Sequence, residues 1–121
     1  FSVWGLSFKP QTDDMREAPS LVIIKGLLEA GATVKAFDPV AMEEAKKKLE
    51  GLKGITFGED QYQVLEGADA MLLITEWHQF RYPDFNMIKC LLKQPVIFDG
   101  RNQFEPHQMK ALGFTYFAIG R

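Results

Sequence analysis

Two patterns of hydrophobic and polar positions alternate along the chain. Short apolar runs that are rich in Val, Ile and Phe predict strands, and longer amphipathic or charged segments predict helices. The short runs predict six strands, at residues 1–8, 33–37, 55–57, 68–75, 95–98 and 114–119. The longer segments predict helices at residues 21–30, 41–50, 62–67, 85–93 and 106–112. Pro19 suits the first turn of the first helix, where its missing N–H is not needed.

Strands that alternate with helices favour a parallel sheet joined by right-handed crossovers. We therefore expect an α/β fold, a Rossmann-like three-layer sandwich with a mostly parallel six-stranded sheet in the order 3-2-1-4-5-6. The run Ala70–Ile74 is continuously apolar, which is typical of a central strand covered on both faces. The short strand Ile55–Phe57 is expected near an edge. The whole chain, residues 1–121, is expected to form one domain.

A polar loop of about ten residues separates the first strand from the first helix, longer than the usual two to six. Lys9 leaves the first strand at its carboxyl end, and Arg16 lies just before the helix. In the expected strand order, Arg101 leaves the fifth strand beside the same crevice, where open α/β sheets bind ligands. These cations and the helix N-terminus predict an anion site, such as one for phosphate. The alternative is that they are solvated loop charges.

The composition of the chain argues against two kinds of partner, nucleic acid and membranes. Fourteen Lys and Arg against sixteen Asp and Glu give a formal charge of −2, which argues against nucleic acid as a partner. No apolar run approaches the ~20 residues that span a bilayer, so we expect no membrane partner. The single Cys excludes an internal disulfide and fits a reducing compartment, the cytoplasm. The chain begins inside a predicted strand without an initiator Met, so we expect a fragment of a longer protein.

Several side chains have structural interpretations that we favour over chemical ones. The dinucleotide fingerprint G-x-G-x-x-G is absent, so Asp38 at the end of the second strand is expected to shape a turn with Pro39 and not to hold a ribose. The adjacent Asp13 and Asp14 are expected to form a turn or to pair with Arg16, which leaves no catalytic carboxylate pair.

The remaining candidates also favour structure over catalysis. Cys90, among Ile88 and other apolar helix residues, is expected to be a buried core thiol. His78 and His107 lack partners at metal-ligand spacing, so no metal site is predicted. Trp77 and Phe80 are expected to pack in a lid or an interface, with stacking on a base as the alternative.

The motifs that follow the strands resemble a known family. The matching segments are Gly5-Leu6-Ser7-Phe8-Lys9-Pro10, Thr12-Asp13-Asp14-Met15-Arg16-Glu17, Phe37-Asp38-Pro39, Thr75-Glu76-Trp77, Phe80-Arg81 and Phe98-Asp99-Gly100-Arg101. Their order and spacing, over the whole chain, are similar to the C-terminal, UDP-binding domain of the UDP-glucose 6-dehydrogenases. The wider family includes the UDP-N-acetylmannosamine and GDP-mannose dehydrogenases, and the equivalent domain of one of these enzymes is an alternative within the resemblance.

The resemblance implies an enzyme that oxidises UDP-glucose to UDP-glucuronate with two NAD, in the biosynthesis of polysaccharides. It implies that a separate N-terminal domain binds NAD and supplies the catalytic Cys and Lys, and that a central helix forms a homodimer. Phe8 and Lys9 would contact the UDP part of the substrate, as would Arg101 or its neighbour Asn102. Arg16 would reach the NAD. No catalytic residue is expected in this chain, which alone should be inactive.

A second hypothesis comes from a different class of protein. It is a stand-alone nucleotide- or phosphate-binding module of the same fold that carries out no catalysis. A transferase acting alone is disfavoured, because no nucleophile or base is evident in the sequence.

Overall fold

The computed structural model describes residues 1–7 and 18–118. Its strands are β1 (Ser2–Trp4), β2 (Val34–Phe37), β3 (Ile55–Phe57), β4 (Met71–Leu73), β5 (Val96–Asp99) and β6 (Thr115–Ala118). Its α-helices are α1 (Pro19–Glu29), α2 (Met42–Lys48), α3 (Phe85–Leu91) and α4 (Pro106–Ala111). Two short 3-10 helices, Gln63–Leu65 and His78–Phe80, flank β4.

The six strands form one sheet in the order β3-β2-β1-β4-β5-β6, which confirms the predicted topology. All five pairings are parallel. Trp4 at the end of β1 is in register with Phe37 and Leu73, and Leu73 is in register with Asp99. The carboxyl ends of β1, β2, β4 and β5 therefore meet at one edge of the sheet, and β3 is an edge strand as expected.

Each predicted element is present, and most are shorter than predicted; α1 begins two residues earlier, β3 has the predicted bounds and β5 is shifted by one residue. The predicted strand over residues 68–75 contains only Met71–Leu73 as a strand, and the predicted helix over residues 62–67 is a single 3-10 turn. Pro19 occupies the first turn of α1, where its missing N–H has no partner to lose. Polar side chains cap the amino ends of α3 and α4: Asp84 accepts from the amide of Met87, and Glu105 accepts from the amide of Gln108.

The core lies on both faces of the sheet. Helices α1 and α2 cover one face at β1–β3, where Val3, Ile24 and Ala45 are fully buried. Helices α3 and α4 and the 3-10 helices cover the other face. The centre of that layer is Trp4, whose ring stacks on Phe80 at a centroid distance of 5.0 Å.

The expectation that Trp77 and Phe80 pack in a lid or an interface is wrong, because both belong to the core. Trp77 is 8% exposed and Phe80 is fully buried. The 3-10 helix His78–Phe80 turns the chain back over the sheet, so that Phe80 packs on Trp4 and on Phe37. Neither aromatic ring has an open face on which a base could stack.

The prediction of a buried thiol at Cys90 is also wrong, because Cys90 is exposed. Ile88 is the buried residue of α3, and Cys90 lies two positions later. Two residues correspond to about 200° of rotation around a helix, so Cys90 faces away from the core. The apolar neighbours of Cys90 in the sequence therefore led to the wrong prediction of the face of α3 on which it lies.

Candidate functional site

The loops that leave β1 and β4 are joined directly at the carboxyl edge of the sheet. The buried Thr75 donates its hydroxyl to the carbonyl of Ser7 at 2.7 Å. At Gly5, φ is +96°, and an added Cβ would lie 2.5 Å from the Cβ of Thr75 and 2.6 Å from its backbone nitrogen. Only glycine permits this approach. The pair β1–β4 is the point where the strand order reverses, so the crevice expected there is bounded by closely packed backbone.

Asp38 connects three loops at this edge. It is fully buried. Its carboxylate oxygens accept hydrogen bonds at 2.8–3.2 Å from the amides of Leu6, Ser7, Val40 and Ala41 and from the indole of Trp77. The bonds from Val40 and Ala41 confirm the predicted turn. The carboxylate is fully occupied by protein donors, so it is not available for the ribose that an acidic residue here holds in dinucleotide-binding folds.

A second buried carboxylate, Asp99, shapes the loop after β5. Its Oδ1 accepts from the amide of Arg101 at 2.9 Å. Its Oδ2 accepts from the amides of Gln103 and Phe104 at 2.8 and 2.9 Å and from the hydroxyl of Tyr116 at 2.7 Å. This role was not predicted from the sequence. An Asp that ends an apolar run and precedes Gly is the available signal, because Asp commonly bonds to backbone amides beyond it in turns.

Arg101 forms an ion pair with Glu76, which lies in the loop after β4. The guanidinium Nε donates to Oε2 of Glu76, and Nη2 donates to Oε1 at 3.0 Å. The side chains are 38% and 26% exposed, respectively. The pair therefore spans the carboxyl ends of β4 and β5, where the sequence predicted a cation. Glu76 was not identified as a site residue from the sequence.

Asn102, the alternative to Arg101 for contacting UDP, has a different environment. Its φ is +54°, a left-handed conformation that Asn tolerates better than most residues. Its Oδ1 is buried and accepts no hydrogen bond from any residue that the structure describes. Arg101 has the exposed, charged donors that an anion requires, and it is the better candidate of the two.

The other predicted contacts, Phe8, Lys9 and Arg16, lie outside the described residues, as do Asp13 and Asp14. Convergence of Lys9 with Arg101 therefore remains a prediction. Across residues 1–7 and 18–118, no three His, Cys, Asp or Glu side chains are grouped as metal ligands would be. Over the same ranges, no helix has the length and apolar character needed to cross a membrane.

The doubly wound parallel sheet, in the order β3-β2-β1-β4-β5-β6, defines a Rossmann-like α/β domain, a class that binds ligands in the crevice at the carboxyl ends of its strands. A comparison with known families assigns the chain more narrowly than its fold does. Residues 2–106 match the UDP-binding domain of the UDP-glucose/GDP-mannose dehydrogenase family, and the chain belongs to that family. The resemblance inferred from the sequence motifs is confirmed.

Individual relatives agree with this assignment. Over 99% of its length the chain is 46% identical to the UDP-glucose 6-dehydrogenase of Pseudomonas aeruginosa and 46% identical to the UDP-glucose 6-dehydrogenase TuaD of Bacillus subtilis. It spans 27% and 26% of those proteins, about a quarter of their length. Among solved structures, it resembles a UDP-glucose dehydrogenase from Pyrobaculum islandicum with a TM-score of 0.73 and 34% identity, over 88% of this chain and 23% of that one.

Proposed function

We propose that the chain is the UDP-binding domain of a UDP-glucose 6-dehydrogenase, an enzyme that oxidises UDP-glucose to UDP-glucuronate with two NAD. One observation carries the proposal. A chain that matches the family's UDP-binding domain presents the guanidinium of Arg101 at the carboxyl edge of β5, beside the switch point of the sheet. The 46% identity to named UDP-glucose 6-dehydrogenases favours this branch over the GDP-mannose branch.

In this proposal, Arg101 and Lys9 bind the diphosphate of the substrate, and Phe8 contacts the nucleotide. Each cation would donate charge-assisted hydrogen bonds worth roughly 1.5–3 kcal/mol. Because the crevice is open to water and salt, each contribution should lie near the lower end of that range. Arg16 would reach toward NAD held by another part of the enzyme.

The chain binds substrate in this proposal and does not carry out the oxidation. Asp38 accepts from five protein donors within 3.2 Å, so the usual acidic contact to a dinucleotide ribose is absent at that position. Cys90 lies near the end of α3, which returns the chain to the amino end of β5. It is therefore at the opposite edge of the sheet from Arg101. The catalytic Cys and Lys and the main NAD contacts belong to an N-terminal domain outside this chain.

The proposed partners follow from the same assignment. They are a UDP-sugar, the N-terminal NAD-binding domain, and the central helix through which the full enzyme forms a homodimer. The proposed compartment is the cytoplasm, which is consistent with a single cysteine that has no partner for an internal disulfide.

Parallel calorimetric titrations with UDP, GDP and NAD test the proposal. We expect UDP to bind more tightly than GDP and much more tightly than NAD. Binding of NAD as tight as that of UDP would contradict it. In a second test, the 121-residue chain is incubated with UDP-glucose and NAD. We expect no NADH. Production of NADH would contradict the proposal that this chain binds substrate and that a separate domain carries out the oxidation.

A further inference from the structure

We propose that Glu76 is a positioning residue for the substrate diphosphate: it holds the guanidinium of Arg101 by one edge and leaves the other edge to bind phosphate oxygens. The inference rests on the proposed function, since it deepens the role of Arg101 in the same site. Its basis is the geometry of the Glu76–Arg101 pair and the way in which both residues are held.

Glu76 lies between two anchored neighbours. Thr75 is fixed by the bond from its hydroxyl to the carbonyl of Ser7, and the amide of Trp77 closes a tight turn by donating to the carbonyl of Thr75 at 3.0 Å. The indole of Trp77 is held in turn by Asp38 at 3.1 Å. The backbone that carries Glu76 is therefore fixed on both sides, and the carboxylate extends from a rigid support.

Arg101 is held from the neighbouring strand. Its amide donates to the buried Asp99, and the amide of Gly100 donates to the carbonyl of Leu73 at 2.8 Å. The loop after β5 is thus attached to the end of β4, two residues before the turn that carries Glu76. The ion pair therefore joins two anchored loops, after β4 and after β5, whose separation is fixed by the pairing of these strands in the sheet.

The guanidinium of Arg101 has more N–H donors than its bonds to Glu76 use. It carries five N–H groups in a planar fork, and Glu76 accepts one from Nε and one from Nη2. The remaining three are the two on Nη1 and the second on Nη2. Together Nη1 and Nη2 form a second edge that can donate to two oxygens, the arrangement in which Arg binds phosphate. Arg101 can therefore bind a diphosphate without releasing Glu76.

Glu76 also has an opposing effect, because its negative charge offsets the positive charge that attracts the diphosphate. Water and salt weaken that effect, since both side chains are more than a quarter exposed. The orienting effect is short-range and is not screened in this way. Long side chains lose freedom when a ligand orders them, and an Arg that is already oriented avoids most of that loss. We therefore expect orientation to outweigh charge compensation.

The test is calorimetric titration of UDP into the 121-residue chain and into Glu76→Gln, with Glu50→Gln as the control. Glu50 is an exposed carboxylate that follows α2, so the control removes the same charge elsewhere. We expect Glu76→Gln to weaken UDP binding about two- to tenfold, the range that corresponds to ordering one long side chain. Glu50→Gln should bind as the parent does. In an Arg101→Ala background, Glu76→Gln should have no further effect.

A second measurement does not depend on the ligand. The Nε–H resonance of Arg101 should exchange slowly with water in the parent and rapidly in Glu76→Gln, while the melting temperatures agree. Identical exchange in the two proteins would overturn the inference, as would UDP binding by Glu76→Gln that equals or exceeds that of the parent. If the parent itself does not bind UDP, the proposed function fails and the positioning role fails with it. If Arg101→Ala loses UDP binding and Glu76→Gln does not, the positioning role of Glu76 is refuted and the proposed function is not.

Discussion

Replacing Asp38 by Asn should destabilise the fold severely, although the two side chains have nearly the same shape. The carboxylate is fully buried and accepts from five donors within 3.2 Å. An amide has only one accepting oxygen, so its NH2 group must face donors on one side. The less damaging orientation keeps the oxygen toward Leu6, Ser7 and Trp77 and turns the NH2 group toward the amides of Val40 and Ala41.

The magnitude follows from those two amides. A buried donor left without an acceptor costs about 1–3 kcal/mol. Val40 is 53% exposed, so water can reach its amide in part, whereas Ala41 is fully buried. We therefore expect Asp38→Asn to lower the free energy of unfolding by about 2–4 kcal/mol, a large fraction of the ~5–15 kcal/mol of a typical domain.

Urea unfolding followed by tryptophan fluorescence measures this loss, because both Trp4 and Trp77 are buried and become exposed on unfolding. The midpoint should fall by about 1–3 M with an unchanged slope. Asp60→Asn, at an exposed position, is the matched control and should change the unfolding free energy by less than about 0.5 kcal/mol. If Asp38→Asn were as stable as this control, the connecting role assigned to Asp38 would be refuted.

Two further predictions concern substitutions at two separate glycines, Gly5 and Gly26, and the reactivity of Cys90. Gly5→Ala should lower the unfolding free energy by at least about 3 kcal/mol in the same urea assay, because the added Cβ meets the backbone of Thr75 at 2.6 Å at a positive φ. Gly26→Ala in α1, where nothing lies within 4 Å, should raise it by about 0.5–1 kcal/mol; equal effects would contradict this packing. Cys90 should react with a maleimide in the folded protein nearly as fast as in urea, and protection of the thiol would show that it is not exposed.

The strand order was predictable because it depends on a pattern repeated along the whole chain. Six apolar runs separated by helical segments permit few topologies once crossovers are right-handed, and the order with β1 and β4 adjacent is the common one. The turn at Asp38 was predictable because it is local: its acceptors and the amides of Val40 and Ala41 lie within three residues.

Long-range contacts were not predictable in the same way. The bonds from Leu6 and Trp77 to Asp38 join residues 32 and 39 positions apart, and no local pattern contains them. The pairing of Glu76 with Arg101 follows only after β4 and β5 are placed side by side. Phe80 belongs to the core because a single 3-10 turn redirects it, which its neighbours in the sequence do not indicate.

The central claim is that this domain binds UDP through Arg101. The most direct test is calorimetric titration of UDP into the parent, Arg101→Ala and Arg101→Lys, with Lys53→Ala as a control that removes a positive charge ahead of β3, at the opposite edge of the sheet. We expect Arg101→Ala to weaken binding about tenfold, which corresponds to ~1.4 kcal/mol. Arg101→Lys should also weaken it, because an ammonium cannot replace a planar fork, and Lys53→Ala should leave it unchanged. UDP affinity in Arg101→Ala equal to that of the parent would contradict the account.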